Sequence, residues 1–235
     1  MKKFAVLAIA LSLIGGVALA PASMAAAPTR SISVNAEGTV KVTPDAVRMS
    51  ATATVVAASN KTALAETGKV AAAVRAAILD NGVAKADIAT QSITSYPEYS
   101  YTPEGGSQLV GYRASQSFVV TIKNAANAGV VVDAVVAAGG DNLQIQGVTP
   151  FVLDSSKATE SARANAVKNA KAKATSYAKL LDTKLGRVNY LVENSSPISY
   201  PPVMAMEKAS DSAVTVVDLG KQDVTVSITI QWALL

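Results

Sequence analysis

The 235-residue chain contains neither cysteine nor histidine. Thiolate and imidazole build most zinc, haem and copper sites, so no metal site of that kind is expected, and no other cofactor. A Ser-His-Asp or Cys-His nucleophilic machine is excluded outright, because one of its members does not exist here. No disulfide can brace the fold, even in an oxidising compartment. Aromatic residues are scarce at 5%, whereas 50% of the chain is apolar and much of that is alanine. Alanine-rich helices lying on sheets of small residues suit this composition better than a bulky aromatic core.

A strong excess of charge of one sign is also missing. There are 21 basic and 17 acidic residues; without Lys2 and Lys3 the balance becomes 19 against 17, a net charge of +2. That is too weak to point to nucleic acid. Beyond residue 25 no apolar run approaches the length of a membrane span, so the remainder is expected to be soluble.

The first residues carry an address. Lys2 and Lys3 precede an apolar run from Phe4 to Ala20, interrupted by Ser12, Gly15 and Gly16. Pro21 and Pro28 disfavour cutting just before them, which leaves Ser23-Met24-Ala25 as the best small-x-small site, with cleavage after Ala25. A signal peptide over 1–25 is expected, with a retained N-terminal anchor as the alternative; the absence of cysteine excludes a lipidated start. The rest of the chain, 26–235, would then act outside the cytoplasm, most simply in a bacterial periplasm. Its roughly 210 residues suffice for one domain or two lobes, near 30–123 and 124–235.

Hydrophobic period sets the elements. Ile32, Val34, Ala36, Val40 and Val42 alternate with polar or small residues, and Val47 to Val55 alternate again after Pro44-Asp45, which reads as a hairpin-like pair. A helix follows, capped by Ser59 or Asn60, with Leu64, Gly68, Ala71, Val74 and Ile78 on one face and Gly82 as its stop. Gly68 either weakens that helix or marks close packing on a neighbour. Ile88 to Tyr101 and Leu109 to Lys123 form two strands joined by a Gly-Gly loop. The second half repeats the alternation: a helix with Val130, Val131, Ala134 and Val135, a strand from Leu143, a long helix from about Asp154 to Asp182, and a strand from Leu185. Residues 194–212 have no period. The last strand is the clearest, with Val224, Val226, Ile228, Ile230 and Trp232 all on one face. The order ββαββ-αβαββ predicts an α+β protein of largely antiparallel sheets with three helices packed on one side. Three helices and few comparable strands count against an outer-membrane barrel.

Four segments, in this order, resemble the SIMPL-domain family of periplasmic proteins associated with oxidative-stress defence and the periplasmic immunogenic protein of pathogens. They are Ile32-Ser-Val-Asn-Ala-Glu-Gly38 with Val40 and Pro44-Asp45-Ala46; Asp87-Ile88-Ala-Thr90 with Tyr99-Ser-Tyr101; Val110-Gly-Tyr-Arg-Ala114 leading to Ser117 and Val119; and Ala162 through Ala166, Ala170, Lys171 and Ala172 to Leu185-Gly-Arg-Val188. Ala36 stands where the family commonly has glycine. The resemblance spans nearly the whole chain after the signal peptide. It implies a secreted, non-enzymatic protein of a family with some ring-like homo-oligomers.

Three constellations invite a function. Tyr96, Tyr99, Tyr101 and Tyr112 lie in or beside one hairpin, and Tyr99, Tyr101 and Tyr112 are candidates for self-association; cross-strand packing within one molecule is the alternative. On the long helix Lys157, Lys168, Lys171 and Lys179 share a face opposite Val167, Ala170, Ala174, Tyr177 and Leu181. That face is either simply solvated or docks loosely on an anionic surface of the cell envelope. Arg163 lies near the apolar side and needs a carboxylate or a partner chain. Met204 and Met206, in the irregular segment, are either gap-filling side chains or oxidant targets. Asp133, Asp141 and Asp154 fall where capping or solvation explains them, so no acid pair for hydrolysis is nominated. The expected function is self-association in envelope or oxidative-stress protection, with a periplasmic small-ligand-binding module as the alternative and an enzyme third.

Overall fold

In the computed structural model, residues 30–102, 105–194 and 215–235 are described. The expected signal peptide with its expected cleavage site after Ala25, and the segment holding Met204 and Met206, lie outside them.

The elements follow in the expected order: β1 (Ser31–Val42), β2 (Ala46–Ala57), α1 (Asn60–Asp80), β3 (Ile88–Thr102), β4 (Gly106–Ile122), α2 (Ala128–Gly139), β5 (Leu143–Phe151), α3 (Ser156–Leu180), β6 (Leu185–Asn194) and β7 (Gln222–Leu234). They make two antiparallel sheets, β1-β7-β6 and β3-β4-β2-β5. α3 lies on one face of the first, and α1 and α2 on one face of the second. The class is α+β, with each sheet covered by helix on a single side.

In the first sheet β7 is central, and its alternation has its expected effect. Val224, Val226, Ile228, Ile230 and Trp232 are all at most 5% exposed and form one core with Val34 and with Ala162, Ala166, Ala170 and Ala174 of α3. Alanine every fourth residue gives the helix a smooth ridge, so it can approach the strands closely. The approach is tightest at Gly38, where a Cβ would collide with the backbone of Ala162 and Ala166. The apolar stripe expected on this helix is therefore rotated. Ala162, Ala166, Ala170, Ala174 and Ala178 are buried, whereas Val167, Tyr177 and Leu181 are exposed. Close backbone packing selects the smallest side chains, not the most apolar ones.

The second sheet buries Val47, Met49, Ala51 and Ala53 of β2 and Phe118, Val120 and Ile122 of β4 under Val74 and Ile78 of α1 and Val131 and Val135 of α2. Ser59 caps α1, its hydroxyl accepting from the Thr62 N–H at 3.2 Å, and Gly82 ends it with φ +83°. The first half of α1 turns Ala63 and Thr67 inward in place of Leu64 and Gly68, because the Thr67 hydroxyl donates to the Ala114 carbonyl of β4. Gly68 faces open space, so it marks no close contact.

One sequence reading fails at the level of pairing. β1 and β2 are consecutive but form no hairpin: β1 pairs with β7, and β2 with β4 and β5. The intervening Pro44 has no N–H to close a tight turn. Asp45 is spent elsewhere, its carboxylate accepting from the Leu153 N–H at 2.8 Å and its carbonyl from the Ala125 N–H at 3.3 Å. The sheets also cut across a division into 30–123 and 124–235, since β1 sits with β7 and β5 with β2.

Candidate functional site

The hairpin β3-β4 is longer than the body that supports it. β2 accompanies β4 only as far as Ala57, opposite Tyr112, and the α1 N-terminus is reached at Ser95, whose hydroxyl donates to Asn60 Oδ1 at 3.1 Å. Residues 97–102 and 105–111 extend beyond both as a two-stranded arm. Gly111 permits its departure, because a Cβ there would lie 2.6 Å from the Ala57 carbonyl oxygen.

Tyr99 and Tyr101, two apart on β3, share a face and are 48% and 78% exposed. Leu109 pairs with Tyr99 across the arm, and Tyr112 pairs with Pro97 at its base. Alternation along β3 puts Pro97, Tyr99 and Tyr101 on one side, so the three candidate tyrosines share the side from which α1 covers the sheet. Tyr99 and Tyr101 lie out on the arm, and Tyr112 is half-buried where the arm leaves the body. A β-bulge between Glu98 and Tyr99 separates them from Tyr96, which lies on the opposite side with Glu98 and Arg113.

Sequence reasoning missed the clamp at the arm's base. Arg113 donates through Nε and Nη2 to the two carboxylate oxygens of Glu98, each at 2.7 Å. The guanidinium bond holds the Glu98 carboxyl below its usual range, and Glu98 in turn raises Arg113. Bidentate pairs fix orientation as well as distance, so the clamp sets the direction in which the arm leaves the sheet. No periodicity could reveal it, because the two residues are 15 apart.

Arg163 meets the carboxylate its position called for. It donates through Nε and Nη2 to Glu193 of β6 at 2.6 and 2.9 Å, and the Glu193 carboxyl is lowered by that bond. Lys157, Lys168, Lys171 and Lys179 are exposed and make no ion pair among the described residues. Asp154, just before the Ser155 N-cap of α3, accepts from the Ser156 N–H at 2.9 Å. Asp133 does more than sit in solvent: its carboxylate accepts from both the N–H and the hydroxyl of Thr215, which ties residue 215 to α2 and lowers the carboxyl. Among the described residues no three acidic, histidine or cysteine side chains converge as a metal site would need. No helix there is long and apolar enough to cross a membrane.

The family described as SIMPL, "Protein of unknown function (DUF541)", matches residues 32–232. The chain is similar to the "Uncharacterized protein YggE" of Edwardsiella ictaluri, with 32% identity over 57% of this chain and 55% of the relative. Its counterpart in Escherichia coli strain K12 gives 30% identity over 60% of this chain and 56% of the relative. The chain thus spans little more than half the length of these relatives. The "26 kDa periplasmic immunogenic protein" of Brucella melitensis is 28% identical over 77% of this chain and 72% of its own length. The family match runs from β1 into β7 and so takes in strands of both sheets, and the chain belongs to the SIMPL family.

Proposed function

We infer that this protein is exported to the periplasm and works there by assembling with copies of itself, protecting the envelope under oxidative stress without turning over a substrate. The observation that carries the reading is the projecting arm. Tyr99 and Tyr101 are large amphipathic side chains held away from the body, where a neighbour could bury their rings while their hydroxyls stay bonded. A ring needs a head-to-tail contact between two different patches, and an arm inserting into a neighbour supplies one. The lysine face of α3 suits this less well, because burying unpaired lysines costs desolvation. Export is supported by the lysine-led apolar start and by the periplasmic name of the Brucella relative. The lack of any histidine or cysteine supports a role without catalysis.

Native mass measurement on the chain beginning at Ala26 tests the reading. The unaltered protein should be a discrete assembly. Tyr99→Ser with Tyr101→Ser should reduce its mass at unchanged circular dichroism, while charge reversal at Lys168 and Lys171 leaves the mass alone. A monomer at micromolar concentration, or the reverse pattern among the variants, would overturn it.

A further inference from the structure

All three strands of the first sheet and the helix that covers it meet at one end. β1 begins there at Ser31 opposite Ala233, and β6 begins there at Leu185 opposite Leu234 of β7. α3 arrives at the same end, through residues 181–184. Backbone bonds close the junction. The Leu234 N–H donates to the Arg30 carbonyl at 2.9 Å, and Lys184 and Leu235 exchange a pair of bonds at 3.1 and 2.8 Å.

Two kinds of side chain distinguish this end. Leu180 and Leu181 are 76% and 60% exposed, and Tyr177, one turn before Leu181 on the same side of the helix, is 44% exposed. Neither leucine belongs to a core. The helix is ended without them, by the N–H groups of Leu181, Asp182 and Thr183 on the carbonyls of Tyr177, Lys179 and Ala178. Folding therefore gives no reason for two large apolar side chains here. Around them Arg30, Lys179, Lys184 and Arg187 are exposed, and none makes an ion pair among the described residues. Asp182 and the Leu235 carboxylate oppose these four cations, which leaves an excess of two. The far end of the sheet is different: there Lys41 is paired with Asp223 at 3.0 Å and Gln222 is buried.

We propose that this end docks on an anionic phospholipid surface, with Leu180, Leu181 and the Tyr177 ring entering the headgroup layer and the four cations meeting lipid phosphates. The two features complement a bilayer together. Leucines and an aromatic ring leave water at the acyl boundary, while the stems of lysine and arginine lie along them with their charges outward. Each cation adds its own attraction to a negatively charged leaflet, and Lys168 and Lys171 continue the exposed cations along α3. A second copy meeting the same patch would set cations against cations. The chain also enters the fold at this end. Only residues 21–29 join Arg30 to the apolar run of residues 4–20, so during export this end is the one held near the bilayer. That orientation rests on the export proposed above; the lipid binding does not.

The chain from Ala26 onward would be co-sedimented with vesicles of equal parts phosphatidylglycerol and phosphatidylcholine, and with vesicles of phosphatidylcholine alone. Binding to the mixed vesicles is expected in low salt and should fall steeply as salt is raised. Leu180→Ser with Leu181→Ser should weaken it about tenfold, and Lys179→Gln with Lys184→Gln at least as much. Lys61→Gln with Lys85→Gln removes the same charge from the second core and should leave binding within about twofold of the parent. All these positions are exposed, so circular dichroism should not change. No sedimentation with the mixed vesicles in low salt overturns the proposal, as does equal sedimentation with both kinds. Equal weakening by the two lysine pairs also overturns it, because net charge alone would then explain the attraction. Undiminished binding by the leucine pair removes the insertion, and a lower native mass in that variant would assign this end to a second copy instead. Failure on vesicles leaves export and assembly through the arm untouched, since each is measured separately.

Discussion

Two glycines show how opposite the meaning of one residue type can be. Gly38 lies where β1 meets α3 backbone to backbone, and an added methyl would collide with atoms that cannot swing away. Gly68 lies on the exposed side of α1 with nothing within 4 Å of a Cβ. Gly38→Ala should therefore destabilise by about 3 kcal/mol, the upper end of ordinary overpacking. Gly68→Ala should stabilise by about 0.5–1 kcal/mol through helix propensity and lost unfolded-state freedom. Urea unfolding of the two variants measures both, and equal midpoints would contradict the packing just described. The sequence could not separate these glycines, since each is flanked by polar residues, Glu37 and Thr39 or Thr67 and Lys69, and only the tertiary approach tells them apart. Arg163 was more readable: a cation beside a buried stripe needs a partner, and Glu193 supplies it.

β7 was the most readable element, because five alternating apolar side chains leave little choice of face. Its position between β1 and β6 makes it the strand on which the first sheet depends. Trp232→Ala should cost about 3–5 kcal/mol, as for other buried tryptophans. Truncation after Asp223 should abolish folding in circular dichroism, and near-native melting of the truncated chain would refute a central role. Pairing was unreadable where alternation was clear, as the mistaken β1-β2 hairpin shows: a period of two gives the buried face but not the neighbour. α3 shows a contact with no sequence signal at all. Asn165, Asn169 and Lys173 donate to the carbonyls of Thr39, Glu37 and Asn35, covering the outer edge of β1. Four helical residues rise about 6 Å and two strand residues about 6.7 Å, so the ladders stay nearly in step. The arm has its own dependence, on pH. Glu98 is lowered in the folded chain, so its contribution is present above the unfolded carboxylate range and is lost as pH falls through the lower folded value. Amide exchange in residues 97–111, corrected for its intrinsic pH dependence, should accelerate in acid before that of β2. Arg113→Lys, which loses the fork geometry, should show the acceleration already at neutral pH.

The two cores are nested along the chain, not laid end to end. β2 through β5, residues 46–151, build the whole second sheet and contain both of its helices, while the first sheet joins β1 to α3, β6 and β7 from the far side of that insertion. A division near residue 123 follows the alternation of elements, which carries no record of the long-range β1-β7 pairing. Among the described residues the seam includes the Gln222 side chain donating to the Pro150 carbonyl at 2.6 Å, Thr215 on Asp133, and Val217 and Leu219 resting on the second core. A fragment of residues 45–153 keeps every strand pair and helix of its core and loses those seam contacts. It should fold alone with a lower melting temperature than the parent and a dispersed amide NMR spectrum. A fragment of residues 124–235 keeps β7 but strips it of all twelve of its pairings to β1, and it uncovers the face of α3 that packs on that strand. It should remain unfolded at any concentration short of aggregation. If the second fragment folds and the first does not, the cores are not independent in the nested sense, and the seam must contribute more than these contacts imply.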